Sequence, residues 1–483
     1  MLMSYRELYN KPTLNVLSQQ QIEQIHLATM EVLERTGVRI THPKALELLD
    51  GAGARVNGNR VRIPAQMVED AIHTSPSRLA LGKRNGEPAI FLEDNRSWFG
   101  AGLDGADYLN PVTDERRRFT SEDCRVTATI SNALSNYSWS MILGLAADVP
   151  ADIADRLIAK QALTYCEKPL FFCCQDPDSA CAIYDMAVLI AGSEERFRQA
   201  PTIAAISSAI SPLSWDDDTL EKAIFCAEKG IPQALIPGLQ AGATSPATFA
   251  GTIVQGSAES LGGLVVAQLV RTGAPVIYGA FTTIMDMATA IFSYGAPEMN
   301  LMTAAMVQMA KHYNLPFFGT AGCSDAKFHD DPQAVIEATF SCLSSALSGA
   351  NLVHDLGLLD HSALISPNYL VLIDEILSMV NQYMRGILVN DETLALDLID
   401  RVGPGGHYME EEHTMQHFRD VWYSDLFDRT NYEEWIEQGS IHFTERLREK
   451  TRKLMDLNTE PLPTEIIKEM DRMAKHWLRD SGH

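Results

Sequence analysis

The stretch "LPFFGTAGCSDAKFHDDPQA" (Leu315–Ala334) contains the pattern that decides the fold. A short apolar run comes first, small residues follow it, and a cluster of charged residues leads into a segment with helical spacing. This order is typical of a strand buried on both faces of a parallel sheet and followed by a helix. One such unit cannot form a domain, so the number of its recurrences decides the architecture.

Similar apolar runs occur at eight places, which begin roughly 30 to 43 residues apart, the length of a βα unit. They cover residues 97–100, 139–143, 169–172, 203–206, 233–236, 275–278, 316–318 and 352–354. Eight buried strands separated by helices predict a closed (β/α)8 barrel of the TIM type. An open doubly wound sheet is the alternative, but the first loop lacks the GxGxxG sequence of that fold.

The segments outside these runs predict two further regions. Residues 1–92 carry a helix start at Ser18 and hairpin turns at 57–59 and 84–86, so we expect a small mixed α/β extension. The barrel is expected over residues 93–382. Residues 383–483 read as helical and polar, which predicts a helical C-terminal region packed on the barrel.

Composition limits the classes of function. The chain has 483 residues, 46% of them hydrophobic, and a formal net charge of −24. Such a charge disfavours nucleic acid and anionic membranes and suits a cationic ligand, although it also serves simple solubility. The eight cysteines form no CxxC pair, and residues 1–7 contain no apolar signal core. We expect a soluble, cytoplasmic protein.

The positions just past the apolar runs are rich in aromatic and acidic residues. In a barrel these positions form the mouth at the carboxyl ends of the strands, where active sites lie. Phe99, Asp104, Phe281 and His354 belong to this set. Aromatic faces and carboxylates together hold a small cation, although each aromatic residue is equally explained as core. Glu259 either balances such a cation or is a surface carboxylate of a helix.

Two histidine patterns raise other possibilities. His407, His413 and His417 have a spacing that could bind zinc, but each could equally bond to backbone carbonyls or to nearby glutamates. In "LVHDLG" (Leu352–Gly357), His354 precedes a glycine as in the Asp-x-His-x-x-Gly sequence of corrinoid-binding modules. Leu352 occupies the position of the aspartate, so we expect no built-in corrinoid module.

Five long segments carry a resemblance that covers roughly residues 15–440. They are "GLDGADYLNPVTDERRRFTSED" (102–123), "GATSPATFAGTIVQGSAESLGGLVVAQL" (242–269), "GAPVIYGAFTT" (273–283), "LPFFGTAGCSDAKFHDDPQA" (315–334) and "GPGGHYMEEEHTMQHFRD" (403–420). Together they resemble the trimethylamine:corrinoid methyltransferase family. The resemblance implies a (β/α)8 barrel that moves a methyl group from an amine to cobalt(I) of a separate corrinoid protein.

The resemblance also indicates a branch of the family. The archaeal trimethylamine enzymes carry pyrrolysine in the acidic segment after the seventh strand, and Phe328 falls at that position here. The chain therefore resembles the branch without pyrrolysine, whose relatives demethylate quaternary amines such as glycine betaine. A quaternary ammonium releases a neutral tertiary amine, so this chemistry needs neither a covalent helper nor a general acid.

This resemblance gives a hypothesis for the site. Phe99, Phe281 and Phe328 would surround the ammonium together with Asp104 and Glu259. His354 would contact the carboxylate of a betaine, with Lys327 as the second candidate. We assign no catalytic residue, no metal and no tightly bound cofactor, because the methyl acceptor is the corrinoid (cobalamin) of the partner. A homo-oligomer is also expected.

Three alternatives stay open at this point. A metal-dependent methyltransferase would use the histidine cluster. A tertiary-amine demethylase would need a new acid in place of pyrrolysine. A barrel that binds a quaternary amine without turnover would never methylate cobalt(I).

Overall fold

The computed structural model describes residues 9–102, 104–141 and 143–482. The prediction that residues 1–7 lack a signal core lies outside the described residues, as does Ile142 in the second apolar run. All positions discussed below lie inside these ranges.

The described part of the N-terminal region, from residue 9 onward, combines three helices with short strands. The helices are α1 (Gln19–Glu31), α2 (Pro43–Gly51) and α3 (Ala65–Thr74), and a π-helical turn spans Val32–Thr36. The strands are β1 (Tyr9–Asn10), β2 (Val38–Ile40), β3 (Arg55–Asn57), β4 (Arg60–Arg62), β5 (Leu79–Gly82) and β6 (Pro88–Leu92). Ser18 caps α1, and the two expected turns join the hairpins β3–β4 and β5–β6.

The strands of the barrel region alternate with helices. The strands are β7 (Trp98–Ala101), β8 (Asp107–Leu109), β9 (Arg116–Arg118), β10 (Tyr137–Met141), β11 (Leu170–Phe172), β12 (Ile203–Ala209), β13 (Ser214–Trp215), β14 (Gln233–Ala241), β15 (Val276–Gly279), β16 (Phe281–Asp286), β17 (Ile291–Phe292), β18 (Phe317–Thr320), β19 (Leu352–Leu356), β20 (Leu358–Leu359) and β21 (Leu364–Ile365). The helices are α4 (Ser121–Ala133), α5 (Ala154–Tyr165), α6 (Pro177–Ala191), α7 (Glu194–Gln199), α8 (Asp217–Lys229), α9 (Phe249–Val270), α10 (Pro297–His312), α11 (Pro332–Ser348) and α12 (Pro367–Met384), with a 3-10 turn at Ala151–Ile153.

Eight of these strands close into a parallel barrel in the order β7, β10, β11, β12, β14, β15, β18 and β19. The circle is complete because β19 pairs with β7. Each of the eight overlaps one of the apolar runs identified in the sequence, so the predicted (β/α)8 barrel is confirmed and the open sheet is excluded.

The barrel is closed at its amino end and open at its carboxyl end. The hairpin β5–β6 places Leu81 and Ile90 in the same buried cluster as Trp139 and Phe318 of the barrel interior. At the other end, Gly238 of β14 is exposed, and a Cβ atom added there would meet no atom within 4 Å. The interior above the packed layer is therefore empty space reached through the mouth.

The chain after α12 forms one strand and six helices. They are β22 (Ile387–Leu388), α13 (Asp391–Leu394), α14 (Leu396–Val402), α15 (Glu412–His417), α16 (Tyr432–Glu437), α17 (Phe443–Met455) and α18 (Thr464–Asp480). β22 pairs with β1, α17 packs on α4 and α12, and α18 packs on α5 and α6. The expected helical character is observed, and the region also exposes many large apolar side chains. The division at residues 92 and 382 stays a prediction.

Among the described residues, one helix, α9, is long and apolar enough to cross a membrane. Its most apolar stretch is 78% buried inside the protein. It packs against β14 on the barrel side and against α1 and α3 of the N-terminal region.

Candidate active site at the barrel mouth

Three rings form an aromatic floor under the open mouth. Phe281 begins β16 and follows the end of β15 by two residues, while Phe318 lies in β18 and His354 in β19. The three rings come together because β18 pairs with both β15 and β19. The ring centroid of His354 lies 4.7 Å from that of Phe281 and 4.6 Å from that of Phe318, with the second pair stacked. Phe281 and His354, both expected at the site, are thus in ring contact with each other, and Phe318 joins them.

The imidazole of His354 has unused hydrogen-bonding capacity. The residue is 1% exposed, and within the described residues neither ring nitrogen makes a hydrogen bond. Its Nδ1 atom lies 2.7 Å from Oδ1 of Asp355 but outside hydrogen-bond geometry. Because buried polar atoms are normally paired, Nε2, which has no such neighbour, is the candidate for contact with a polar group of a ligand.

Carboxylates gather beside this floor. Asp104 follows β7, Asp355 lies in the neighbouring β19, and both have a left-handed backbone, with φ of 46° and 75°. Thr320 donates a hydrogen bond of 2.5 Å to Oδ2 of Asp355. Strained backbone of this kind concentrates at functional sites.

The carboxylates repel one another electrostatically. Desolvation raises the pKa of Asp104 to about 7, and the nearby charges of Asp155 and Asp355 add to the effect. Desolvation also raises the pKa of Asp155, against a backbone hydrogen bond of 2.8 Å from Gln175. A cation in the mouth would relieve this repulsion, so the site is prepared for positive charge.

Two residues of this group were not predicted from the sequence, and a third was given no role. Asp155 lies at the start of α5, and Tyr294 lies in the insertion between β16 and α10. Burial raises the pKa of Tyr294 well above its usual range, and the charge of Asp355 adds to this. Neither residue follows an apolar run directly, so the strand pattern gave no signal for them. Asp355 directly follows His354 in β19 but received no role in the hypothesis from the sequence.

The loop after β18 places Phe328 on the rim of the mouth. Asp325 accepts hydrogen bonds from Oγ of Ser293 at 2.5 Å and from the backbone of Tyr294 at 2.8 Å. Lys327 donates to the carbonyl of Asp325 at 2.7 Å and lies 3.5 Å from Oδ1 of Asp360. The charged residues thus hold the loop, while Phe328 is 48% exposed. The ring contacts of Phe281 are with Phe318 and His354, so the structure separates Phe328 from the aromatic floor.

Glu259 anchors a loop. It is fully buried in α9 and accepts hydrogen bonds from Oγ of Ser211 at 2.6 Å, the backbone of Leu213 at 2.9 Å and Nε2 of Gln255 at 2.7 Å. Burial raises its pKa, against these three bonds. The alternative of a surface carboxylate is wrong, and the bonds already occupy the oxygens expected to face a cation. Glu259 instead fixes the loop after β12.

Phe99 lies at the opposite end of its strand from the mouth. It is 3% exposed in the outer core between strands and helices, and not in the cluster inside the barrel. It borders a cavity of about 380 Å³ together with Asn95 and Arg96, which precede β7. The structure therefore does not bring Phe99 together with Asp104.

The three spaced histidines do not converge. The rings of His413 and His417 in α15 lie 4.4 Å apart, and Nδ1 of His417 lies 2.8 Å from Oδ2 of Asp420. In the part of the chain that the structure describes, no group of three His, Cys, Asp or Glu side chains is placed to hold a metal ion. The histidines also lie outside the barrel, so the metal-dependent alternative gains no support from this geometry.

Comparison with known proteins gives the family of the chain. Residues 1–476 match the family model described as trimethylamine methyltransferase (MTTB). A trimethylamine methyltransferase of Desulfitobacterium hafniense strain DCB-2 is 34% identical over 84% of this chain and 82% of its own. A glycine betaine methyltransferase of D. hafniense strain Y51 is 29% identical over 88% and 89% of the two chains. A trimethylamine methyltransferase of Methanosarcina barkeri is 31% identical over 96% and 95%.

The barrel also resembles a solved structure. The monomethylamine methyltransferase of Methanosarcina barkeri superimposes with a TM-score of 0.52 at 10% identity, covering 91% of this chain and 87% of that one. At this identity the likeness concerns the fold alone. The sequence match, over almost the whole length, shows that the chain belongs to the trimethylamine methyltransferase (MTTB) family and is a methyltransferase.

Proposed function

We propose that the protein transfers a methyl group from a quaternary amine, with betaines as the first class to test, to cobalt(I) of a corrinoid carried by a separate protein. The observation that supports it most is the neighbourhood of Asp104 and Asp355 to the floor of Phe281, Phe318 and His354. Carboxylates and aromatic faces at the mouth of a barrel are suited to a cation that has no N–H donor.

The chemistry requires little from the protein. Cobalt(I) supplies the electron pair for a new cobalt–carbon bond, and the carbon–nitrogen bond breaks with its pair retained on nitrogen. The product is a neutral tertiary amine, so no proton is transferred. What the site must do is hold the cation, aim one methyl group outward and exclude water.

Each part of the site has a share in this task. Asp104 and Asp355 supply the negative charge, and Phe281 offers a ring face worth about 2 kcal/mol when desolvated, with the buried Phe318 beneath it. His354 offers an unpaired ring nitrogen for the carboxylate of a betaine. Lys327, the second candidate, is 55% exposed and engaged with Asp360 at the rim, which favours His354.

Exposed apolar side chains on the rim of the mouth favour a partner protein that docks over it. Loops that follow barrel strands expose Leu145, Ile210, Met287 and Phe328, with 70% exposure at Met287. Exposed apolar side chains around a concave site mark a docking surface. A corrinoid protein seated there would bring its cobalt above the aromatic floor.

The eight cysteines are free thiols, which fits a reducing cytoplasm.

A tertiary-amine demethylase is the second candidate. The pKa of Asp104, about 7, keeps a proton on this carboxyl near neutrality, where it could protonate a leaving secondary amine. The relative that is 34% identical is named a trimethylamine methyltransferase. The two functions differ in the amine that methylates cobalt.

The test is a panel of amines with reduced cobalamin, or a reduced corrinoid protein, and the purified chain. Formation of the methyl–cobalt bond is followed by absorbance. We expect methylation with at least one quaternary amine and none with trimethylamine. Gly238→Leu, which fills the mouth, is the inactive control.

A further inference from the structure

A cavity of about 380 Å³ lies at the amino end of the barrel, opposite to the mouth. Ten residues line it, and they come from separate parts of the chain. Lys11 follows β1, residues 95–99 lead into β7, and Arg385 follows α12. We refer to this space as the lower cavity. Its volume is within the range of pockets that bind small molecules.

The charge of the lower cavity is opposite to that of the chain. Its lining includes three basic residues, Lys11, Arg96 and Arg385, and among the described residues no acidic side chain lines it. The whole chain has 63 acidic and 39 basic residues. The cations are therefore a local feature and not part of a general basic surface. Arginine and lysine are the side chains that bind phosphate and carboxylate groups.

Two of the three cations have no carboxylate partner among the described residues. Lys11 is exposed, and within the same ranges its side chain makes no hydrogen bond or ion pair. The guanidinium of Arg385 donates at 3.1 Å to Oε1 of Gln382, a neutral group. Both side chains can thus contact an anion in the cavity without breaking an ion pair.

The third cation shares its carboxylate with another arginine. The guanidinium of Arg96 lies 3.1 Å from Oε1 of Glu93, and Nε of Arg78 lies 2.6 Å from Oε2 of the same carboxylate. One negative charge therefore faces two guanidinium groups. Positive charge remains in excess beside the cavity, and a bound anion would reduce the repulsion.

A buried hydroxyl in the wall is a second kind of evidence. Oγ of Ser97 is shielded from solvent and makes no hydrogen bond within the described residues. Because buried polar atoms are normally paired, this hydroxyl is available to donate to an oxygen of a ligand. Trp98, Phe99 and Met384 supply apolar wall. The lower cavity thus combines cations, a hydroxyl donor and apolar surface, which is typical of a small-molecule site.

A second cavity with basic residues is the competing candidate. It measures about 520 Å³ and is lined by Lys83, Arg84 and Arg196 together with Glu167 and Glu460. The guanidinium of Arg84 already donates to three backbone carbonyls. The two acids offset the positive charge of this cavity, and these bonds occupy one of its cations. The lower cavity is therefore the better site for an anion.

We propose that the lower cavity binds a small organic anion with two or more negative charges, of the phosphate or carboxylate type. Lys11, Arg96 and Arg385 would hold the charged groups, and Ser97 would donate to one of their oxygens. The bound anion would connect the N-terminal region, the barrel and the chain after α12, and so stabilise the folded protein. The proposal is independent of the amine and of the corrinoid partner, since it concerns the end of the barrel away from the mouth.

The experiment measures the binding of pyrophosphate, citrate and adenosine monophosphate to the purified chain by calorimetry in about 0.15 M NaCl. Pyrophosphate and citrate distinguish phosphate from carboxylate recognition, and adenosine monophosphate tests whether the apolar wall takes part. We expect at least one of the three anions to bind with a Kd below about 1 mM, one molecule per chain, and to raise the melting temperature.

The variant that tests the site is Lys11→Gln/Arg385→Gln. It should weaken binding of that anion at least about tenfold, because it removes bonds to charged groups. Arg55→Gln/Lys475→Gln is the matched control, since it removes the same charge from residues that do not line the lower cavity, and its Kd should stay within about twofold of the wild type. Circular dichroism and melting temperature without ligand establish that both variants fold.

A second measurement locates the bound anion. Amide hydrogen exchange should slow on binding in residues 9–11, 95–99 and 381–388 and stay unchanged in residues 83–86 and 196–202, which belong to the second cavity. If none of the three anions binds with a Kd below about 1 mM, the proposal is wrong. An unchanged Kd in Lys11→Gln/Arg385→Gln, equal weakening in the control, or protection confined to the second cavity would also overturn it.

Discussion

Asp104 and Asp355 lie near the carboxyl ends of neighbouring barrel strands, and both adopt the left-handed backbone that non-glycine residues avoid. The charge of Asp355 helps to raise the pKa of Asp104 to about 7. The fold thus keeps two acids close together, at a cost in backbone strain and repulsion. A bound cation would offset the repulsion, which supports the proposed use of this pair in binding a quaternary amine.

The pKa of Asp104 predicts how binding depends on pH. Below about pH 7 the carboxyl is protonated and neutral, so a quaternary amine binds weakly. As the pH rises through 7 the carboxylate forms, and affinity should increase by up to about tenfold per pH unit before it levels off. Calorimetric titration with glycine betaine between pH 5.5 and 8.5 measures this, since the ligand's own charge is constant there.

The matched variant for this prediction is Asp104→Asn, which keeps the shape and removes the titration. Its affinity should be roughly constant over the same pH range and close to that of the wild type at pH 5.5. The same rise with pH in the variant would show that Asp155, Asp355 or another group is responsible.

Variants of Gly238 test where the substrate lies. A Cβ atom there meets no atom within 4 Å, so Gly238→Ala should leave both folding and binding almost unchanged. Gly238→Leu should fill the space above the floor and lower amine affinity at least 100-fold, with a melting temperature within about 2 °C of the wild type. Full activity of Gly238→Leu would place the substrate elsewhere.

A variant of His354 tests whether this residue binds the carboxylate of a betaine. His354→Phe keeps a ring next to Phe281 and Phe318 but removes both ring nitrogens. A hydrogen bond to a charged group contributes about 1.5–3 kcal/mol, so glycine betaine should bind about 10- to 100-fold more weakly. Tetramethylammonium, which has no carboxylate, should lose less than about twofold. An equal loss for both ligands would mean that the imidazole supports the floor and not the carboxylate.

Variants of Phe328 test whether this residue belongs to the rim or to the cage around the amine. As a rim residue it should leave amine affinity unchanged in Phe328→Leu, whereas a residue of the cage would cost about 0.5–2 kcal/mol. Phe328→Asp should raise the KM for the corrinoid protein several-fold, while Ile336→Asp on α11 should not. Weaker amine binding in Phe328→Leu, with an unchanged KM for the corrinoid protein, would return Phe328 to the cage.

The strands could be read from the sequence because parallel strands buried on both faces are continuous apolar runs. Each of the eight runs therefore marked its strand, from Trp98 to Leu356. The direction of a side chain was harder to read. In a run without alternation, nothing in the sequence tells that Phe99 faces the outer helices while Phe318 faces the interior.

The site could be predicted only where it lies at the end of an apolar run or just past it. Asp104, Phe281 and His354 satisfy that rule, and the structure places them at the carboxyl end of the barrel. Asp155 and Tyr294 reach it from a helix start and an insertion, whose position depends on tertiary packing. Glu259 was expected at the cation and Lys327 at the carboxylate of a betaine, but hydrogen bonds to local loops account for both.

The central claim is that a quaternary amine gives its methyl group to cobalt(I) at this mouth. The most direct measurement is the absorbance of methyl–cobalt formed by the purified chain from reduced cobalamin and either glycine betaine, other betaines or trimethylamine. We predict methylation by at least one quaternary amine, none by trimethylamine, and loss of the reaction in Gly238→Leu. Methylation by trimethylamine alone, or the same rate in Gly238→Leu, would contradict the account.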